Sequence, residues 1–134
     1  MEEPVWIPTE VVLALHARQL AEHGGSDGLR DEGLLESALA RPRQRWSYGS
    51  PPPDLCELAA SYAAGLAKNH PFLDGNKRTA HVVYRLFLKR NGLDLIAPME
   101  ERYLAMWRLA AGETDEETFT EWLRRHTAPV SDIG

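Results

Sequence analysis

The run His70-Pro71-Phe72-Leu73-Asp74-Gly75-Asn76-Lys77-Arg78-Thr79 gathers a base, a carboxylate, a glycine and two cations into one short stretch. These residue types suit the holding and transfer of a phosphate group. His70 is the one side chain of the run that is a neutral base near pH 7. On a loop, its imidazole can take a proton from an attacking hydroxyl. Asp74 is a hard oxygen ligand of the kind that suits Mg²⁺ bridging phosphate oxygens. Gly75 lets the backbone approach a phosphate with no Cβ in the way. Asn76 can cap a helix and donate to a phosphate oxygen. Lys77 offers a point charge and Arg78 a bidentate fork, both suited to a polyphosphate. Phe72, apolar within a polar loop, is expected to plug into the core and fix the loop's shape.

Taken one at a time these residues are ordinary. An Asp-Gly-Asn run is commonly a turn and a Lys-Arg pair commonly a solvated face. The reading rests on their conjunction, in order, between two helical patterns. Before the run, Leu55, Leu58, Ala59, Tyr62, Ala63 and Leu66 repeat at helical spacing. After it, Val82, Val83, Leu86 and Phe87 do the same. Pro71 excludes His70 from the helical region, so the first of these helices should stop near Asn69. The second should start near Gly75 or Asn76. The run is therefore predicted to be a loop opening into a helix N-terminus, where free N–H groups and the helix dipole suit an anion.

The rest of the chain also reads as helix, which makes the fold class all-α. A helix from about Pro8 to His23 is followed by a turn over 24–28. Asp31 caps a short helix with Leu34, Leu35, Ala38 and Leu39 that should end before Pro42. Residues 43–53 contain Trp46, Gly49 and Pro51-Pro52-Pro53 and cannot be helical throughout. Asp54 to Glu57 starts the helix before the motif, and Asn91-Gly92 ends the helix after it. Pro98 precedes a fifth helix, and Thr114 to Glu117 forms a capping box for a sixth. One domain over 1–134 is expected, with its core over about 8–126 and residues 127–134 as a loose tail.

Composition excludes several classes of function. The 134 residues are 43% hydrophobic, ordinary for a globular protein. A net charge of -5 gives no basic surplus for non-specific nucleic-acid binding. No apolar window reaches the ~18 residues of a membrane span, and the acidic start Met1-Glu2-Glu3-Pro4 lacks a signal-peptide core. The single cysteine, Cys56, excludes an internal disulfide and fits a reducing, cytoplasmic setting. It reads as a small core residue. No P-loop run occurs, and His16, His23 and His126 show no ligand spacing for zinc. His81 shares a helix face with Lys77 and Arg78 and reads as a packed histidine. Trp107 and Trp122 read as core.

The motif resembles the signature of the Fic/Doc superfamily, His-Pro-Phe-x-Asp/Glu-Gly-Asn-Gly-Arg in Fic proteins and a version ending Asn-Lys-Arg in the Doc, or death-on-curing, toxins. Lys77 is similar to the Doc version, and Pro71 and Gly75 to the general Fic pattern. The resemblance extends to Leu15-His16, Gly24-Gly25, Gly28-Leu29-Arg30-Asp31, 34–42 and 87–92, spanning roughly residues 9 to 126. It implies a compact helical domain with a short flap before the motif helix that aligns the target by backbone pairing. Arg45 to Ser50 would be that flap, or else a surface loop. Arg30 and Glu36 match the family's N-terminal half and otherwise read as ion-pair residues.

The resemblance further implies a Doc-like toxin using ATP and Mg²⁺. Such a toxin phosphorylates a hydroxyl of a translation elongation factor, the Tu factor's threonine being the family's target. His70 would be the base and Asp74 the Mg²⁺ ligand, with Gly75, Asn76, Lys77 and Arg78 holding phosphates. Ordinary Fic proteins instead transfer AMP, and that reading stays open beside a non-catalytic binding module. The inhibitory Ser/Thr-x-x-x-Glu-Gly/Asn motif of many Fic proteins is missing, because Gly28 stands four residues before Glu32. An antitoxin of the Phd type, acting in trans, would then be the inhibitor.

Overall fold

The computed structural model describes residues 1–130. Six helices follow in order: α1 (Thr9–His23), α2 (Glu32–Tyr48), α3 (Leu55–Asn69), α4 (Asn76–Arg90), α5 (Met99–Ala111) and α6 (Glu116–His126). The strand β1 (Leu93–Leu95) lies between α4 and α5, and β2 (Thr127–Pro129) follows α6.

Helix α3 is the axis of the molecule. Its apolar stripe is so wide that every residue from Leu58 to Ala67 is buried, as expected when a helix is covered on all sides. Five of these are alanines and one is Gly65. Small side chains let neighbours come close: a Cβ on Gly65 would stand 3.3 Å from Ala38 of α2. Helices α2, α4 and α6 pack around α3, α1 lies outside against α4, and α5 touches both α3 and α4. Tyr62, Tyr84, Phe87, Phe119, Leu58 and Leu123 fill the space between them, all at most 2% exposed.

Helix starts follow local chemistry. The carboxylates of Asp31, Asp54 and Asp115 each accept the N–H three residues on, at 3.0, 2.8 and 2.7 Å. That hydrogen bond satisfies an orphan donor of the first turn. The last cap is therefore Asp115, one residue beyond the expected Thr114.

Two expectations fail on the same helix. Helix α2 does not end before Pro42 but carries it inside and runs on to Tyr48. An interior proline costs a helix ~3 kcal/mol. Here Leu35, Ala38, Leu39 and Pro42 itself are buried. On either side of the proline, Arg41 pairs with Glu116 of α6 at 2.6 Å and Arg45 pairs with the same carboxylate. Tertiary packing outweighs the local cost. As a result Arg45 to Tyr48 are helical and Arg45 to Ser50 is no extended flap.

The C-terminal part also departs from expectation. β2 pairs antiparallel with β1, with Leu93 opposite Pro129, Asp94 opposite Ala128 and Leu95 opposite Thr127. Residues 127–129 are thus a strand rather than a tail, and Val130 N–H donates to Gly92 at 2.9 Å; the expected tail over 131–134 lies outside the described residues. At the same turn, Asn91 accepts from the Val5 N–H at 2.8 Å and donates to its carbonyl at 3.0 Å.

Candidate active site

The motif forms the loop between α3 and α4 and the first turn of α4. His70 is the C-cap of α3 and adopts the left-handed conformation, φ 50°, ψ 56°. A non-glycine residue there is strained by about 1–2 kcal/mol. The chain is held in it from outside. Arg30 donates from Nε to the His70 carbonyl at 2.7 Å and from Nη2 to the Asn69 carbonyl at 2.8 Å. Asn69 in turn donates to the Leu34 carbonyl at 3.0 Å.

Residues 24–31, of which 24–28 are expected as a turn, run beside the motif as its companion strip. Arg30 and Asp31 N–H donate to the Pro71 carbonyl at 2.7 and 3.0 Å, and Leu73 N–H donates to Gly28 at 3.0 Å. Leu29 and Phe72 form an isolated antiparallel bridge. The extended backbone next to the motif therefore comes from the α1–α2 connection, not from 45–50.

Phe72 is buried as expected and stacks on His16 of α1, centroids 3.7 Å apart. His16 Nε2 donates to the Asp74 carbonyl at 2.8 Å. Asp74 Oδ1 accepts from the Gly75 N–H at 2.8 Å, and Oδ2 accepts from Ser26 at 3.3 Å. Gly25 is required at the strip, since a Cβ there would meet Asp74 Oδ2 at 2.7 Å. At Gly75 the requirement is conformational: φ is 77°, whereas an added Cβ would find only ordinary contacts.

Asn76 is buried, and its amide serves the loop: Oδ1 accepts from Phe72 N–H at 3.0 Å and Nδ2 donates to Phe72 O at 2.9 Å. Nδ2 also lies 3.4 Å from His70 Nδ1. Asn76 is not the helix cap; that place belongs to Gly75, with no side-chain hydrogen bond. The first α4 bond of this turn is Thr79 N–H to Gly75 O at 2.9 Å, which leaves the amides of 76, 77 and 78 free of helix acceptors.

Together these residues line a cavity of about 310 Å³, bounded by His70, Leu73, Asp74, Gly75, Asn76, Lys77, Arg78 and Trp107. His70, Asp74, Gly75, Asn76, Lys77 and Arg78 all line it, while Phe72 is buried away from it. Among the described residues neither Lys77 nor Arg78 has a carboxylate partner. The pocket therefore offers two unneutralised cations, three unused amides and a helix N-terminus, beside one exposed imidazole. That arrangement suits an anion, with an imidazole at its rim.

Sequence reasoning missed His16, Arg30 and Trp107 as parts of this site. Trp107 is not core: it is 38% exposed, and Lys77 Nζ sits 4.9 Å from its ring centroid. Trp122 does pack against the core, as does Cys56, whose thiol is pushed up by burial. His81 is packed and 6% exposed. Desolvation, with Arg85 and Arg102 nearby, holds it down at about 4, so it is neutral at pH 7. No group of three metal-ligating side chains occurs among the described residues, nor does any helix long and apolar enough to cross a membrane.

A lone carboxylate fits Mg²⁺, which takes one or two protein carboxylates and completes its shell with phosphate oxygens and water. Asp74, exposed at the pocket edge, meets that requirement.

The profile of the Fic/DOC family matches residues 6–88. A protein of Escherichia phage P1 named "Protein kinase doc" is 35% identical over 119 residues, covering 89% of this chain and 93% of the relative. "Toxin Doc" of Mycolicibacterium smegmatis is 45% identical over 78 residues, covering 58% of this chain and 59% of that relative.

Proposed function

The chain belongs to the Fic/Doc family, and on that premise we propose that it is a Doc-like toxin: an ATP-dependent kinase that phosphorylates a hydroxyl on a translation factor. The observation that carries this reading is the pair of unneutralised cations, Lys77 and Arg78, at the α4 N-terminus beside the exposed His70. A lysine where ordinary Fic motifs have glycine fills part of the polyphosphate space and adds a charge. Both effects favour a nucleotide held with its γ-phosphate toward the base. Kinship with a protein named as a kinase supports the same choice.

His70 takes the proton as the acceptor hydroxyl oxygen forms its bond to the γ-phosphorus, and the bond from that phosphorus to the β–γ bridging oxygen breaks. ADP departs with that oxygen. Lys77, Arg78 and the free amides of the first α4 turn stabilise the charge on the transferring oxygens. Asp74 would hold Mg²⁺, which neutralises phosphate charge when bound. The strip 24–31, already paired with the motif, is the backbone edge available to align an extended target segment. A Phd-type antitoxin is the corresponding inhibitor in trans, and the related toxin supports this.

The test is transfer from ATP labelled separately at the α and γ positions. Label from γ is expected. Label from α would mean AMP transfer, and no label with nucleotide still bound would mean a binding module.

A further inference from the structure

Lys77 carries the choice of reaction above, yet its side chain is a flexible one, an ammonium on a four-carbon stem. What fixes it is not a carboxylate. Among the described residues it has no acidic partner, and its Nζ lies over the indole of Trp107, 4.9 Å from the centroid. Both residues line the same cavity. An ammonium over an indole is an attractive cation–π geometry.

The indole is itself braced from the helix that carries Lys77. Trp107 meets Tyr103, one turn earlier on α5, edge to face at 5.9 Å and 90°. Tyr103 stacks on His81 at 5.6 Å and 26°. His81 is buried on α4 four residues after Lys77, one turn along the same face. The contacts therefore close a ring, Lys77 to Trp107 to Tyr103 to His81 and back through the α4 backbone. His81 is neutral at pH 7, so this support adds no charge that would compete for the ligand of Lys77.

We propose that Trp107 is a positioning residue for Lys77: its ring holds the ammonium at one wall of the motif pocket and so sets where that charge meets a ligand's phosphate. This rests on the reading of the pocket as a polyphosphate site. Trp107 touches the cation on one side and leaves its remaining N–H donors to the pocket. A free lysine would lose its rotamer freedom when the ligand binds; a lysine already on the ring has lost much of it. Trp107 thus acts through Lys77.

A double-mutant cycle on the full chain tests this. Wild type, Trp107→Leu, Lys77→Met and the double variant are titrated calorimetrically with Mg²⁺–ATP and with Mg²⁺–tripolyphosphate, and melting temperature is read for each. Trp107→Leu should weaken binding of both probes about twofold to fivefold, the size of a part-exposed cation–π contact. In the Lys77→Met background the same change should do nothing, and Trp107→Tyr should restore part of the loss. A merely structural tryptophan would lower the melting temperature without this coupling. Losses that simply add, or tighter binding after Trp107→Leu, overturn the proposal while leaving phosphoryl transfer to stand on its labelling result. A folded wild type that binds neither probe overturns both.

Discussion

His70 occupies a backbone conformation that favours glycine, and no glycine can do its chemistry. The strain of φ 50° is spent on aiming an imidazole at the pocket from the very end of α3. Replacement should therefore separate activity from stability. His70→Ala should abolish transfer, a loss of ~10²- to 10⁴-fold for a general base, with the fold retained. His70→Gly should be equally inactive yet more stable than His70→Ala by about 1 kcal/mol, because glycine accepts left-handed geometry freely. Denaturant unfolding beside a γ-label assay checks both; a His70→Ala protein active at the wild-type rate would remove His70 as the base. At Asp74 the carboxylate braces the loop through Gly75 and Ser26 and faces the pocket as well. Asp74→Asn should weaken Mg²⁺–ATP binding because an amide is a poor ligand for a hard cation. Unchanged affinity with a lower melting temperature would leave only the bracing role.

Between elements, the decisive contact is Arg30 against the C-terminus of α3. Two donors on one guanidinium satisfy the carbonyls of Asn69 and His70, and the backbone of Arg30 and Asp31 grips Pro71. Arg30→Ala should lower the rate of transfer about 10- to 100-fold, as a misplaced catalytic group does, with little change in nucleotide affinity. A kcat against KM comparison reads this, and an unchanged kcat would make Arg30 a helix cap alone. This contact also marks where the sequence stops being legible. The motif could be read because its residues are consecutive and local rules place them: Pro71 ends one helix and a glycine opens the next. Helix starts were legible for the same reason, since an aspartate and the amide it caps are three residues apart. Arg30 lies 40 positions from the carbonyl it holds and His16 lies 58 from Asp74. No periodicity encodes such pairings. Sequence alone ends α2 at Pro42, because the local cost of proline is visible there, whereas the packing and the Glu116 ion pairs that offset it are not. Trp107 reads as core because nothing in its spacing shows that α5 turns that face to Lys77.

Across the whole molecule, acid should be the condition that loosens this fold. His81 is buried between α4 and α5, and its folded value of about 4 lies below the ordinary 6.5. Between those values the unfolded chain binds more protons than the folded one, so stability falls as pH drops from 6.5 toward 4. The contribution at neutral pH is on the order of 3 kcal/mol. His81→Gln should flatten that part of the stability–pH curve, measured by denaturant unfolding at several pH values. An unaltered slope would assign the acid sensitivity to other groups. A second stabilising feature is the cluster around Arg124, which joins Asp54 and Glu57 at 2.9 Å each and also Glu121. It ties α6 to the start of α3 on a solvent-facing side, so salt should weaken it.

Val5 and Val130 both hydrogen-bond to the Asn91–Gly92 turn, at the opposite end of α4 from the motif and ~22 Å away along a 15-residue helix. The two ends of the described chain are therefore neighbours, and the site is remote from them. Such a molecule lends itself to circular permutation. A short linker joining the residues around Val130 to those around Val5, with new ends opened in the α5–α6 turn at Gly112-Glu113, would leave the α3–α4 loop, the strip beside it and the α5 wall each in one piece. The order in which the helices are strung would change, and the geometry around His70 would not.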